Sequence, residues 1–144
     1  MEFYPATKNI EETHHWIRRC IVNYEKFGHC FWAVLLRDTR EFIGQCGILY
    51  QNMRHRPEHE IGYMFQRPFW GHGYATEAAA ACRDWAFTHF RYEYVVSYID
   101  PRNTRSLAVA KRIGMTLEQS LAAADNDWQK PLDVYRVDNR HQPR

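Results

Sequence analysis

Trp70-Gly71-His72-Gly73-Tyr74-Ala75-Thr76-Glu77-Ala78 sets two glycines directly before an alanine-rich stretch that runs unbroken to Phe90. Ala75, Ala78, Ala79, Cys82, Trp85 and Ala86 recur at helical spacing, which predicts a helix over 74–90 with one apolar stripe. Glycines let the backbone turn tightly with its amides aimed at one point, and a helix N-terminus adds unpaired N–H groups and partial positive charge. That combination can cradle a diphosphate, although the same two glycines also suit a plain connecting loop. The dinucleotide fingerprint would need a third glycine at Thr76, and the P-loop would need Gly-Lys-Ser/Thr, so neither applies.

Upstream, Glu60-Ile61-Gly62-Tyr63-Met64-Phe65 reads as a strand. Before it, Phe31 to Leu36 and Phe42 to Tyr50 flank the polar turn Asp38-Thr39-Arg40-Glu41, a hairpin signal, and the polar stretch 51–57 breaks the pattern. Three adjacent antiparallel strands are expected. Asn9 with Glu12 three positions on can cap a first helix over 10–27 that ends at Gly28. Downstream, Tyr94-Val95-Val96-Ser97-Tyr98-Ile99 is apolar on both faces, as a strand covered on two sides must be. A helix over 104–113 closes at Gly114, and strands at 115–119 and 132–137 flank a loop with Asp125-Asn126-Asp127. The order αβββαβαββ is that of an α/β chain with a mixed sheet.

The chain has 144 residues, of which 45% are apolar and 25% charged, with a formal charge of +2, the profile of one globular domain over 1–144. Its longest apolar run falls far short of the roughly 20 residues that span a bilayer, and no signal-peptide core follows Met1-Glu2-Phe3-Tyr4. The expected location is cytoplasmic, with no membrane partner. Fifteen Arg and four Lys are scattered rather than gathered on one stripe, which argues against a nucleic-acid partner. Cys20, Cys30, Cys46 and Cys82 form no Cys-x-x-Cys pair and read as buried free thiols.

Glu60-Ile61-Gly62-Tyr63, the run from Arg67 to Ala78, and Asn103, Ser106 and Lys111-Arg112-Ile113-Gly114-Met115 together resemble the GNAT N-acetyltransferases. Within that superfamily the chain is similar to the ribosomal-protein alanine acetyltransferase branch, RimJ/RimL-like, from about Phe3 to Val137. The resemblance implies a GNAT fold in which the strands at Glu60–Phe65 and Tyr94–Ile99 splay into a V-shaped slot. It implies acetyl-CoA as donor, an amine as acceptor, and no metal. It further implies that the backbone of Gly71, His72, Gly73, Tyr74, Ala75 and Thr76 holds the pyrophosphate, that the backbone at Met64 and Phe65 pairs with pantetheine, and that Asn103 bonds the pantetheine amide. Two departures stand out. Ala110 replaces a tyrosine that many members use as general acid, and the usual first strand and helix are absent, so a homodimer completing the open sheet edge is one expectation.

Acetyl transfer needs a neutral amine, a polarised thioester and a protonated leaving thiolate. The resemblance points to Glu60 as base, with an ordinary strand-edge carboxylate as its alternative. Ser106 could bond the departing sulfur or cap its helix. Tyr98 is a hydroxyl near the slot that reads as core, and Arg67 and His72 read as solvated charge beside the phosphates. Acceptor loops are expected at 51–59 and 122–130. Two rivals remain. One is a non-catalytic CoA-binding module of the same fold. The other is a zinc hydrolase through His55, Glu58 and His59, which match His-x-x-Glu-His but carry Pro57 where a helix would be needed.

Overall fold

A computed structural model describes residues 7–140, so the Met1-Glu2-Phe3-Tyr4 stretch lies outside the described residues. Helix α1 (Ile10–Phe27) starts on the anticipated capping box: the Asn9 side chain accepts from the Glu12 N–H, and the Glu12 carboxylate accepts from the Asn9 N–H, both at 2.8 Å. It stops at Gly28, whose φ of +79° is open to glycine at little cost. No α1 residue is buried. The helix lies along the edge of the sheet, with Trp16 against Phe31 and Tyr24 edge-on to Trp32.

Strands β1 (Phe31–Leu35), β2 (Phe42–Gln51) and β3 (Glu58–Phe65) form the expected antiparallel meander. Helix α2 (Tyr74–Thr88), strand β4 (Tyr94–Ile99), helix α3 (Thr104–Arg112), strand β5 (Thr116–Leu121) and strand β6 (Leu132–Asp138) follow. The sheet runs β1-β2-β3-β4-β6-β5. Its one parallel junction is β3 beside β4, and there a single register pair, Glu60 with Val96, joins the strands. By contrast β2 and β3 pair without a gap from Gly44/Phe65 to Gln51/Glu58. The expected splay is therefore present, with its vertex at Glu60.

Helices α2 and α3 cover one face of the sheet over a core that includes Cys46, Ile48, Ile61, Ala79, Val95, Ile99 and Ile113. The other face carries a smaller cluster of Met53, Val96, Tyr98, Leu121, Leu132 and Val134. Alternation along β3 thus sends Glu58 and Glu60 to this second face and His59 and Ile61 to the helical one. Gly47 permits the close approach of β1, because a Cβ there would lie 2.1 Å from the Cys30 carbonyl oxygen.

Element ends differ from the sequence expectation where turn chemistry intervenes. Strand β3 begins at Glu58, since the register with β2 continues through Gln51. Helix α2 stops at Thr88 because Arg91 takes a left-handed φ of +57° and the Tyr92 N–H returns to the Ala86 carbonyl. Leu36 leaves β1 to close the hairpin with Glu41. Strand β5 reaches Leu121 through an irregularity between Leu117 and Gln119. Among the described residues no helix is long and apolar enough to cross a membrane.

Candidate active site

The glycine loop takes the form its sequence suggested. Gly71 and Gly73 have φ of +76° and +81°, and a Cβ at either would meet nothing within 4 Å. Backbone conformation, not crowding, therefore demands glycine here, and the space beside the loop is open. Gly73 caps α2 without any side-chain hydrogen bond. Tyr74, Ala75 and Thr76 form the first turn, whose N–H groups have no intrahelical acceptor by helix geometry. His72 stacks on Tyr74 with ring centroids 5.5 Å apart. Such a loop suits an anionic group at a helix N-terminus.

Trp70, just ahead of the loop, donates its indole N–H to the Phe65 carbonyl at 2.8 Å. The guanidinium of Arg105 lies 4.4 Å from its ring centroid and that of Arg67 5.3 Å. Arg105 went unread in the sequence, for its partner lies 35 positions away in a different element. Across the slot, Tyr63 donates its hydroxyl to the Ser106 carbonyl at 2.7 Å. Asn103 caps α3, its side-chain oxygen accepting the Ser106 N–H at 3.2 Å. That contact fixes the side chain of Asn103 and leaves its amide NH₂ as the donor for a slot ligand.

Backbone direction along β3 distinguishes the two predicted strand contacts. The Gln66 N–H reaches the Ile43 carbonyl on β2 at 2.9 Å, whereas the Ile61 carbonyl accepts from Ser97 Oγ on β4 at 2.7 Å. With a period of two, the backbone groups of Tyr63 and Phe65 face the slot. Those of Met64 face β2, in register with Gln45. The expectation for Met64 is corrected accordingly: its place in the strand is right, but its backbone is turned toward β2, and the groups turned toward the slot on either side of it are those of Tyr63 and Phe65.

Glu60 stands at the vertex with 6% of its surface exposed. Gln51 Nε2 donates to its carboxylate at 2.7 Å, and the Tyr98 backbone N–H donates to it as well. Burial raises its pKa to about 7, against the smaller downward pull of those two hydrogen bonds. A carboxyl that exchanges its proton near neutrality is suited to general base work.

Glu58, two residues earlier on the same face, behaves oppositely. Arg54 grips it with two hydrogen bonds, Nε to Oε1 at 2.9 Å and Nη2 to Oε2 at 2.5 Å. Tyr98 and Tyr94 donate their hydroxyls to it, Tyr94 at 3.1 Å. Burial alone would raise its pKa, but Arg54 and the tyrosines outweigh that and hold it down at about 2. Arg54 also bonds Glu118 at 2.8 Å, which in turn meets Arg136 at 3.3 Å. The tyrosine read as core, Tyr98, is buried and yet touches both carboxylates.

The zinc arrangement does not form. His55 sits in a turn with φ of +58°, and Glu58 and His59 alternate to opposite faces of β3. His59 instead stacks on Tyr92 at 3.6 Å and meets His29 edge-on. An apolar hollow of about 250 Å³ between α1 and β1, lined by Trp16, Cys20, Tyr24 and Trp32 among others, lies apart from these residues.

Comparison with known proteins follows the same outline. A family model described as an acetyltransferase (GNAT) domain matches residues 1–116. An uncharacterised Bacillus subtilis protein, YkkB, is 38% identical over 135 residues, covering 94% of this chain and 76% of its own length. The crystal structure of an acetyltransferase from Agrobacterium tumefaciens superposes with a TM-score of 0.77 at 36% identity, covering 95% of this chain and 75% of that one. RimL, a ribosomal L7/L12 alpha-N-protein acetyltransferase solved with coenzyme A, shares the fold at a TM-score of 0.75 and 19% identity, over 91% of this chain and 73% of that one.

Proposed function

From its place in the acetyltransferase (GNAT) domain family, to which the chain belongs, we propose that it moves the acetyl group of acetyl-CoA to a primary amine by direct attack, with Glu60 as general base. The observation that carries this reading is the position of Glu60: a buried carboxyl, pKa about 7, at the register pair that joins β3 to β4, from which the two strands splay.

The residues present fit the donor. The Gly71–Gly73 turn, open beside both glycines, and the uncapped amides of Tyr74, Ala75 and Thr76 suit the diphosphate, with Arg67 and Arg105 nearby to offset charge. Slot-facing backbone groups of Tyr63 and Phe65 suit an extended amide chain, as an added strand would. The bound thioester supplies an activated acetyl carbon. Glu60, directly or through a water, takes the proton of the attacking amine as the C–N bond forms and the C–S bond breaks. A slot-facing N–H of β3 polarises the carbonyl in the transition state. Ser106, in the first turn of α3, is the candidate to steady the leaving sulfur.

Calorimetric titration tests the donor site, with acetyl-CoA expected to bind and adenosine alone expected to fail. Release of free thiol with a panel of primary amines then tests transfer. Glu60→Gln should keep acetyl-CoA binding while lowering turnover by roughly 10²–10⁴-fold. Binding with no transfer to any amine would favour the non-catalytic module, and full turnover in Glu60→Gln would remove Glu60 from the chemistry.

A further inference from the structure

Glu58 and Glu60 share one face of β3, about 7 Å apart along an extended strand. Two buried carboxyls on one face of a strand raise each other's proton affinity when charged. Here their partners decide which of them carries the charge. Arg54 is bound bidentately to Glu58, with 8% and 0% of the two side chains exposed. Among the described residues the partners of Glu60 are neutral, Gln51 and the Tyr98 N–H. Tyr98 joins the two: its hydroxyl donates to Glu58 and its backbone N–H to Glu60.

We propose that Glu58, kept anionic by Arg54, is a positioning residue for Glu60, holding the Tyr98 bridge in place and setting the proton affinity of the Glu60 carboxyl. This rests on the reading of Glu60 as the base. Arg54 makes the assignment one-sided. It leaves Glu60 as the one carboxyl of the pair that exchanges a proton near neutral pH, while Glu58 serves as fixed charge. The other titratable and charged groups on this face belong to the same network: Arg56 beside Glu58 at 3.4 Å, Tyr94, Glu118 on β5, and Arg136 and Asp138 on β6, paired at 2.7 Å. His59 and His29 lie on the opposite face.

The test follows the Glu60 carboxyl itself, so it needs no acceptor. In protein labelled with ¹³C-glutamate, the Glu60 Cδ resonance is assigned by its loss in Glu60→Gln, and its titration midpoint is read by NMR. Glu58→Gln removes one of the two carboxylates that compensate Arg54, leaving Glu118 alone, and should lower the midpoint by up to about one pH unit. Arg54→Gln leaves Glu58 with Arg56 as its remaining cation and should raise it by up to about as much. Opposite signs are the signature, because mere loosening would admit water in both variants and lower both midpoints. Arg56→Glu, at a side chain 48% exposed, tests the same charge effect without threatening the core and should raise the midpoint by about half a unit. Equal-direction shifts in the first two, or an unmoved midpoint in Arg56→Glu, would overturn the proposal. Turnover of Glu60→Gln judges the base reading separately: full activity there sinks that reading whatever the midpoints do.

Discussion

Trp70 donates its indole N–H to the carbonyl of Phe65, the last residue of β3, and so ties the entry of the glycine loop to the wall of the slot. That carbonyl faces β4 by the same alternation that turns the Ile61 carbonyl to Ser97. Arg105, from the first turn of α3, stacks on the same indole and links the far side of the slot to it. One side chain therefore joins the three elements that would surround a bound acetyl-CoA.

Trp70→Phe keeps a smaller aromatic ring for Arg105 and loses the hydrogen bond together with part of the indole surface. A neutral bond of this kind contributes about 1 kcal/mol, or roughly 2–4 °C in a domain of this size. We expect a Tm lower by about that much, and acetyl-CoA binding weakened by up to about tenfold because the slot wall is no longer tied. Calorimetry on the folded variant checks both. Unchanged affinity would mean that Trp70 serves the loop alone.

Glycine substitutions should separate by cause. At Gly71 or Gly73 an alanine meets no atom but must hold a left-handed φ, which costs about 1–2 kcal/mol. Folding should survive with Tm lower by about 2–8 °C, and acetyl-CoA binding should weaken as the amides turn away. At Gly44 an added Cβ would sit 2.5 Å from the Met64 carbonyl oxygen, and at Gly47 2.1 Å from that of Cys30. Those alanines should disrupt the meander itself, with loss of the cooperative unfolding transition in a thermal scan.

The contrast also shows what the sequence disclosed. Caps, turn residues and hydrophobic periods are local signals, so α1, the hairpin, α2 and the order of elements along the chain were legible from neighbouring residues. The glycine loop was legible for the same reason, since Gly71 and Gly73 act through their own φ angles. What escaped reading depends on chain segments meeting from afar. Arg54 reaches Glu118 and Gln119 across more than 60 positions, Tyr98 reaches Glu58 across 40, and the thiols of Cys46 and Cys82 meet at 3.6 Å from different layers. Nothing near Glu58 marks it as different from Glu60, and only the partners that folding delivers divide them. The direction of the Met64 backbone needed the register with β2, which no local pattern supplies.

Glu60→Gln should trade activity for stability. Folding raises the pKa of this carboxyl from 4.5 to about 7. The unfolded chain thus releases the proton first, and the folded state loses stability as pH rises from about 4.5 to 7. The full shift corresponds to about 3 kcal/mol, an upper bound for a buried group. Chemical denaturation at pH 8 should find Glu60→Gln more stable than the native chain, with the gain vanishing near pH 4. Equal stability at pH 8 would show that the carboxyl ionises in the fold without cost.

Acid should act through Glu58 in the opposite sense. Its folded pKa, about 2, lies below the ordinary 4.5 because Arg54 and the two tyrosines favour the anion. Its contribution is therefore complete above about pH 4.5 and is lost as pH falls toward 2. Glu58→Gln takes from the buried Arg54 one of its two carboxylate partners and should cost up to about 3–5 kcal/mol at pH 7. The penalty should shrink steadily in urea titrations carried down to pH 3, where the native chain is itself losing the pair.

The histidines on the helical face add a second acid-sensitive element. His29 is fully buried, with Ile48 O and Tyr92 Oη each 2.7 Å from its ring nitrogens. His59 stacks on Tyr92, and its Nδ1 is buried with no hydrogen-bond partner among the described residues. Burial lowers both pKa values, that of His59 to about 4, with His29 adding repulsion to His59. Both rings are neutral in the fold, so their contribution is whole above about pH 6.5 and falls away as pH drops toward 4. His59→Phe keeps the stack on Tyr92 and removes the unpaired nitrogen. It should therefore raise Tm at pH 5 by more than at pH 8, where only the nitrogen's desolvation is relieved. Equal gains at the two pH values would show that protonation of His59 plays no part in acid unfolding, and that the stacked cluster responds to packing alone.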